Sequence, residues 1–139
     1  MAHINLVKLC VGAETLSDLQ TWQAERYGGK EARHVTRMWP RREDDILKGG
    51  SLYWVIKGVI LCRQQILRLD EVTGQDGLRR CGIILDREIV RTSPAPRRPF
   101  QGWRYLKPED APPDLSQSAQ REDALPPEME RALAEIGLL

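Results

Sequence analysis

The sequence predicts an α+β fold: a small, strongly bent antiparallel sheet or barrel flanked by short helices. Three observations carry this. The stretch from Gly49 to Leu69 reads as two strands joined by a tight turn at Lys57-Gly58, where glycine supplies the positive φ that a short hairpin needs. Strand candidates outnumber helix candidates and mostly neighbour one another along the chain. At 139 residues the chain has room for one core, and it contains no internal repeat.

The elements follow in order. Ile4-Asn-Leu-Val-Lys-Leu-Cys10 is a first strand, with Ile4 and Leu6 inward, Val7 and Leu9 as further inward candidates, and Val11-Gly12 ending it. Thr15-Leu-Ser-Asp18 is a near capping box that opens a helix running to about Tyr27. Leu16, Leu19, Trp22 and Tyr27 fall mostly on one face, so Trp22 is expected in the core, and Gly28-Gly29 stops the helix. Residues 33–39 form a short strand. Pro40 suits a first helical turn, and 41–48 give about two turns with Ile46 and Leu47 facing in.

Residues 52–56 are an unbroken apolar run that fits a strand buried on both faces, with Trp54 in the core. Residues 59–69 are its longer, mixed partner. Residues 71–77 read as a loop, 78–85 as a strand, and 86–91 as room for one helical turn. Ser93-Pro-Ala-Pro-Arg-Arg-Pro99 must be extended, because three prolines forbid helix. Residues 100–106 make the last strand, and the proline-rich 107–115 lie over the body or lead away from it. These elements assign residues 1–115 to one globular domain. Residues 116–139 read as an acidic linker, disordered over 116–123, and an amphipathic helix. Leu125, Met129, Leu133 and Ile136 form its stripe, which could dock on the body or on a protein partner through residues 125–138.

The net charge of +1 conceals an asymmetry. Residues 1–107 hold 19 Lys/Arg against 12 Asp/Glu, or +7; residues 108–139 hold 2 against 8, or −6. A basic body with an acidic tail suits a polyanionic partner or a tail folded over the body; a solvated surface is the plain alternative. The opening residues carry no signal peptide pattern and no segment reads as a membrane span, so a cytoplasmic protein without membrane contact is expected. The odd count of cysteines, Cys10, Cys62 and Cys81, set among apolar neighbours, suits reduced core thiols.

Several chemistries lack their residues. Lys48-Gly-Gly-Ser51 does not have phosphate-loop spacing. Two histidines without a Cys-x-x-Cys make a zinc site improbable, and no cofactor is implied. No nucleophile motif surrounds Ser51 or Ser93.

Two stretches stand out. Residues 33–42 contain four arginines and Trp39, and 91–107 contain Arg91, Arg97, Arg98, Arg104 and Lys107 interleaved with Phe100, Trp103 and Tyr105. Guanidinium forks grip phosphates and flat rings stack on unpaired bases, so this interleaving points to nucleic acid. The alternative is that the tryptophans fill a core short of phenylalanine while the arginines pair with surface acids.

His34-Val-Thr-Arg-Met-Trp-Pro40, Gly49-Gly-Ser-Leu-Tyr-Trp-Val-Ile-Lys-Gly58 and the run Arg97-Arg-Pro-Phe-Gln-Gly-Trp-Arg-Tyr-Leu-Lys-Pro-Glu-Asp-Ala-Pro-Pro-Asp-Leu115 resemble a bacterial family catalogued as a domain of unknown function. The resemblance covers about residues 3–115 and leaves the tail outside. Residues 36–69 more loosely resemble the PUA-like superfamily, with its ASCH and EVE domains. That resemblance implies a bent pseudo-barrel and, often, a bound RNA or modified base. Some ASCH proteins are small amidohydrolases using a lysine and a threonine on the first of these strands and a later glutamate. Thr36 matches the threonine, but Arg33 or His34 stands at the lysine position, and Gln65 and Arg68 stand where the glutamate belongs. Arginine is a poor general base.

The reading is therefore a non-enzymatic module binding RNA or a modified nucleotide. Arg37, Trp39, Arg63, Arg97, Arg98, Trp103 and Arg104 would line a basic, aromatic cleft. The alternatives are an ASCH-like amidohydrolase acting on a nucleoside or amide, using Thr36 and His34, and a protein adaptor using the C-terminal helix.

Overall fold

The computed structural model describes residues 3–28, 30–98 and 100–115; the linker and helix expected over 116–139 lie outside the described residues. Among the described residues seven strands form one mixed, open sheet: β1 (Asn5–Leu9), β2 (Ala32–Thr36), β3 (Ser51–Ile56), β4 (Val59–Thr73), β5 (Arg79–Leu85), β6 (Val90–Pro96) and β7 (Trp103–Leu106). The path through it is β2-β5-β4-β3-β1-β7, with β6 also on β4. Two helices among the described residues, α1 (Leu16–Tyr27) and α2 (Glu43–Ile46), give the α+β architecture.

The long strand β4 organises the molecule. Its first half pairs with β3 and β6, and its second half with β5. Register shifts at Trp54/Val55, Ile60/Cys62 and Ile66/Arg68 bend it, as bulges do. The turn into β4 is as expected: Lys57 (φ 50) and Gly58 (φ 79) both take positive φ, the twist that matches flanking strands.

One topological expectation changes. β1 runs parallel to β3, so the sheet is mixed and not antiparallel. The physical reason is the intervening crossover, because α1, β2 and α2 all lie between the two strands in the chain.

Strand alternation gives the sheet two apolar faces. The inner face carries Leu6, Leu52, Trp54, Cys62, Ile83 and Trp103 with Leu16 and Leu19 of α1. The outer face carries Val7, Tyr53, Val55, Ile60 and Leu106, with Phe100 and Ala111 packed on it. Burial on both faces explains why all six residues of β3 are buried.

Helix α1 opens with the expected box: Thr15 Oγ1 accepts from Asp18 N–H (3.1 Å), and the Asp18 carboxylate accepts from Thr15 N–H (3.2 Å). Gly28 closes it in the left-handed region. Trp22 is not in the core as expected. It is 42% exposed, with the Arg26 guanidinium 4.3 Å over its ring. The buried stripe is Leu16, Leu19 and Gln23, which leaves Trp22 one position to its side.

Several boundaries move. α2 is shorter than the two turns expected and leaves Leu47 exposed. β4 extends through Glu71–Thr73, read from sequence as loop, because β5 supplies a partner to Thr73. No helical turn forms over 86–89. Pro94 and Pro96 sit in β6, which pairs on one side with β4 and so tolerates residues without an N–H.

The 107–115 segment lies over the body. After a 3₁₀ turn (Pro108–Asp110) it is fastened to β6 by Ser93 N–H on Pro113 O (2.8 Å) and Leu115 N–H on Arg91 O (2.9 Å).

Candidate functional site

The expected site residues divide between the two faces. Trp103 and Arg104 are adjacent in β7, and alternation sends Trp103 to the inner face and Arg104 to the outer. Trp103 is 5% exposed and its Nε1–H donates to Met38 O (3.0 Å). Trp39 packs against the same cluster, with the Arg79 guanidinium 4.8 Å over its ring. The Tyr105 hydroxyl accepts from the N–H of Arg41 (3.0 Å) and of Arg42 (3.3 Å). These contacts tie the loop after β2 to β7 and so bridge the two ends of the sheet. Arg37 is exposed in that loop.

Arg63, Arg97 and Arg104 belong to the outer face. Arg97 and Arg104 each hold a guanidinium carbon 5.7 Å from the Phe100 ring centroid. Arg98 is exposed beside them. Arg63 stands opposite Tyr53 and donates Nε–H and Nη2–H to Asp114 and Nη1–H to Ser51 Oγ (3.0 Å).

A cleft of about 350 Å³ opens where the 108–114 segment crosses the start of β1 and β3. His3, Asn5, Ser51, Tyr53, Arg63 and Asp114 supply its polar side chains. Asn5 Oδ1 accepts from Ser51 N–H (2.9 Å), which holds the amide in place, while its buried Nδ2 has no partner among the described residues. Leaving a buried donor unpaired costs about 1–3 kcal/mol. Burial raises the Tyr53 phenol above its ordinary value, so it stays a donor near neutral pH. Hydrogen bonding from Arg63 lowers the Asp114 carboxyl, which keeps that pair ionised.

On the inner face, His34 and Thr36 share one side of β2. The His34 ring meets Trp54 edge to face at 5.4 Å, and its Nε2 is buried without a partner among the described residues. Burial lowers its pKa to about 4, and the Lys8 charge adds to this. An imidazole with so little proton affinity is a weak base at neutral pH. Thr36 lies opposite Cys81 in the β2–β5 register.

All three cysteines are free. Burial raises Cys10 and Cys81 to about 11 and Cys62 further, which keeps them as thiols. Among the described residues no three His, Cys, Asp or Glu side chains gather to hold a metal ion, and no helix is long and apolar enough to cross a membrane.

The model of one family, described as protein of unknown function (DUF1489), matches residues 6–139. The chain belongs to this family. The DUF1489 match runs through the tail, so residues 116–139 are part of the family's extent and not outside it, as the motifs alone suggest. No curated protein and no solved structure matches the chain.

In this DUF1489 chain the cleft residues Asn5, Ser51, Tyr53 and Asp114 are ones that sequence reasoning misses. A signal exists for the first three. Each is a polar or hydroxyl-bearing residue at an alternate position of an otherwise apolar strand, which marks one face as different. Asp114 gives no such signal, because its partner Arg63 is 51 residues away.

Proposed function

We propose that this chain is a non-enzymatic binding module for RNA or a modified nucleotide, and that the outer face of the sheet is its contact surface. The observation that supports this reading is the convergence of Arg97 and Arg104 on the Phe100 ring. Neither guanidinium, nor that of exposed Arg98, forms an ion pair with a described residue. Such groups are available to phosphate oxygens, and a ring between them suits an unpaired base. Arg63 contributes to the cleft beside this surface. On this reading Trp39 and Trp103 hold the sheet ends together and do not stack on a ligand.

The PUA-like relationship belongs to the same proposal. A bent strand shared by both halves of the sheet, with its ends bridged through Trp103 and Tyr105, is consistent with a pseudo-barrel.

The test is fluorescence anisotropy with a labelled single-stranded RNA at low salt. Phe100→Ala should weaken binding by about tenfold or more, as loss of one stacked base does. Equal affinity for the two proteins would overturn the assignment of this face.

A further inference from the structure

We infer that the cleft under the 108–114 segment is a binding site for a neutral, planar ring bearing a carbonyl group, as an oxo-nucleobase does. This deepens the nucleotide reading above and rests on it. Three features of the cleft decide the ligand class.

The first is its excess of donors. Asn5 is 1% exposed and lines the cleft, and its Nδ2 is buried without a partner among the described residues. Ser51 Oγ already accepts from Arg63, so its own hydrogen remains to be given. Tyr53, which carries a further hydroxyl, lines the same space. A carbonyl oxygen accepts through two lone pairs, so it can pair with two of these three donors at once.

The second is charge. Arg63 and Asp114 neutralise one another through a two-pronged contact. An anionic ligand at Arg63 would also face the Asp114 carboxylate, so a neutral acceptor is favoured over a phosphate or carboxylate. The third is shape. Pro108, Pro112 and Pro113 of the crossing segment line the cleft, and rigid apolar rings suit a flat ligand. The volume of about 350 Å³ falls within the range of small-ligand sites.

Inosine and adenosine separate this proposal from general nucleoside affinity. They have the same size and sugar, but adenosine presents an amino donor where inosine presents a carbonyl. The experiment titrates each into the full ¹⁵N-labelled chain and follows the side-chain amide resonances of Asn5. Inosine should shift them and adenosine should not. Tyr53→Phe and Ser51→Ala, each removing one hydroxyl, should each weaken inosine by about tenfold. Equal shifts from the two nucleosides, or no shift from inosine, would overturn the proposal. Neither nucleoside carries phosphate, so the result does not depend on Arg97 or Arg104. Inosine binding without RNA binding would remove the outer-face reading alone, and RNA binding without an inosine shift would remove the cleft alone.

Discussion

Arg63 grips Asp114 through two hydrogen bonds, Nε to Oδ1 at 2.8 Å and Nη2 to Oδ2 at 2.7 Å. The pair joins the middle of β4 to the end of the 107–115 segment and fixes the mouth of the cleft. Asp114→Asn keeps the shape and removes the charge. Because the carboxylate is half exposed, the expected loss is only about 0.5–1 kcal/mol in urea denaturation at pH 7. The Asp114 pKa is lowered in the folded state, so its contribution is present above the ordinary carboxylate value. It fades as pH falls through the lowered folded value. The difference between the two proteins should therefore vanish in strong acid.

His34 gives a pH dependence in a different window. Its pKa falls from 6.5 to about 4 on folding, because the ring is buried. Between those values the unfolded chain binds a proton that the folded chain refuses, so stability rises with pH. Chemical denaturation from pH 7 to pH 4 should show a loss on the order of 3 kcal/mol at the limit. His34→Phe should flatten that portion of the curve.

Gln64 is fully buried and joins four groups. It exchanges two 2.8 Å bonds with Gln23, accepts from Trp54 Nε1–H (2.9 Å) and donates to Asp86 O (2.9 Å). Gln64→Leu keeps the bulk and leaves Gln23 and the indole N–H unpaired. The expected cost is about 3 kcal/mol, seen as a lower denaturation midpoint.

Gly50→Ala should prevent folding. A Cβ there would collide with the carbonyl oxygens of Ile4 and Ile46, both backbone atoms that cannot swing aside. The expected readout is loss of soluble protein, with Gly49→Ala milder because open space surrounds that position and only its positive φ is strained.

Much of the fold is legible in the sequence because its signals are local. The capping box at Thr15 and Asp18, the Lys57-Gly58 turn and the apolar run of β3 each depend on neighbours a few residues apart. The length of β4 and the parallel β1–β3 pairing are not legible, since both depend on which distant strand arrives alongside. Trp22 misleads because helical spacing fixes a stripe only to within one position. The site is harder still. Arginine and aromatic residues cluster in sequence over 97–105, but alternation separates Trp103 from Arg104, and that partition cannot be read until the register is known.

The dependence of RNA affinity on salt is set by the phosphate contacts assigned to the outer face. Each phosphate contact on a single strand contributes about −0.7 to the slope of log K against log salt concentration. The double variant Arg97→Gln, Arg104→Gln should make that slope shallower by about 1.4 while leaving the chain folded, as judged by its circular dichroism spectrum. An identical slope for the variant and the parent chain would contradict an RNA-binding role for the outer face.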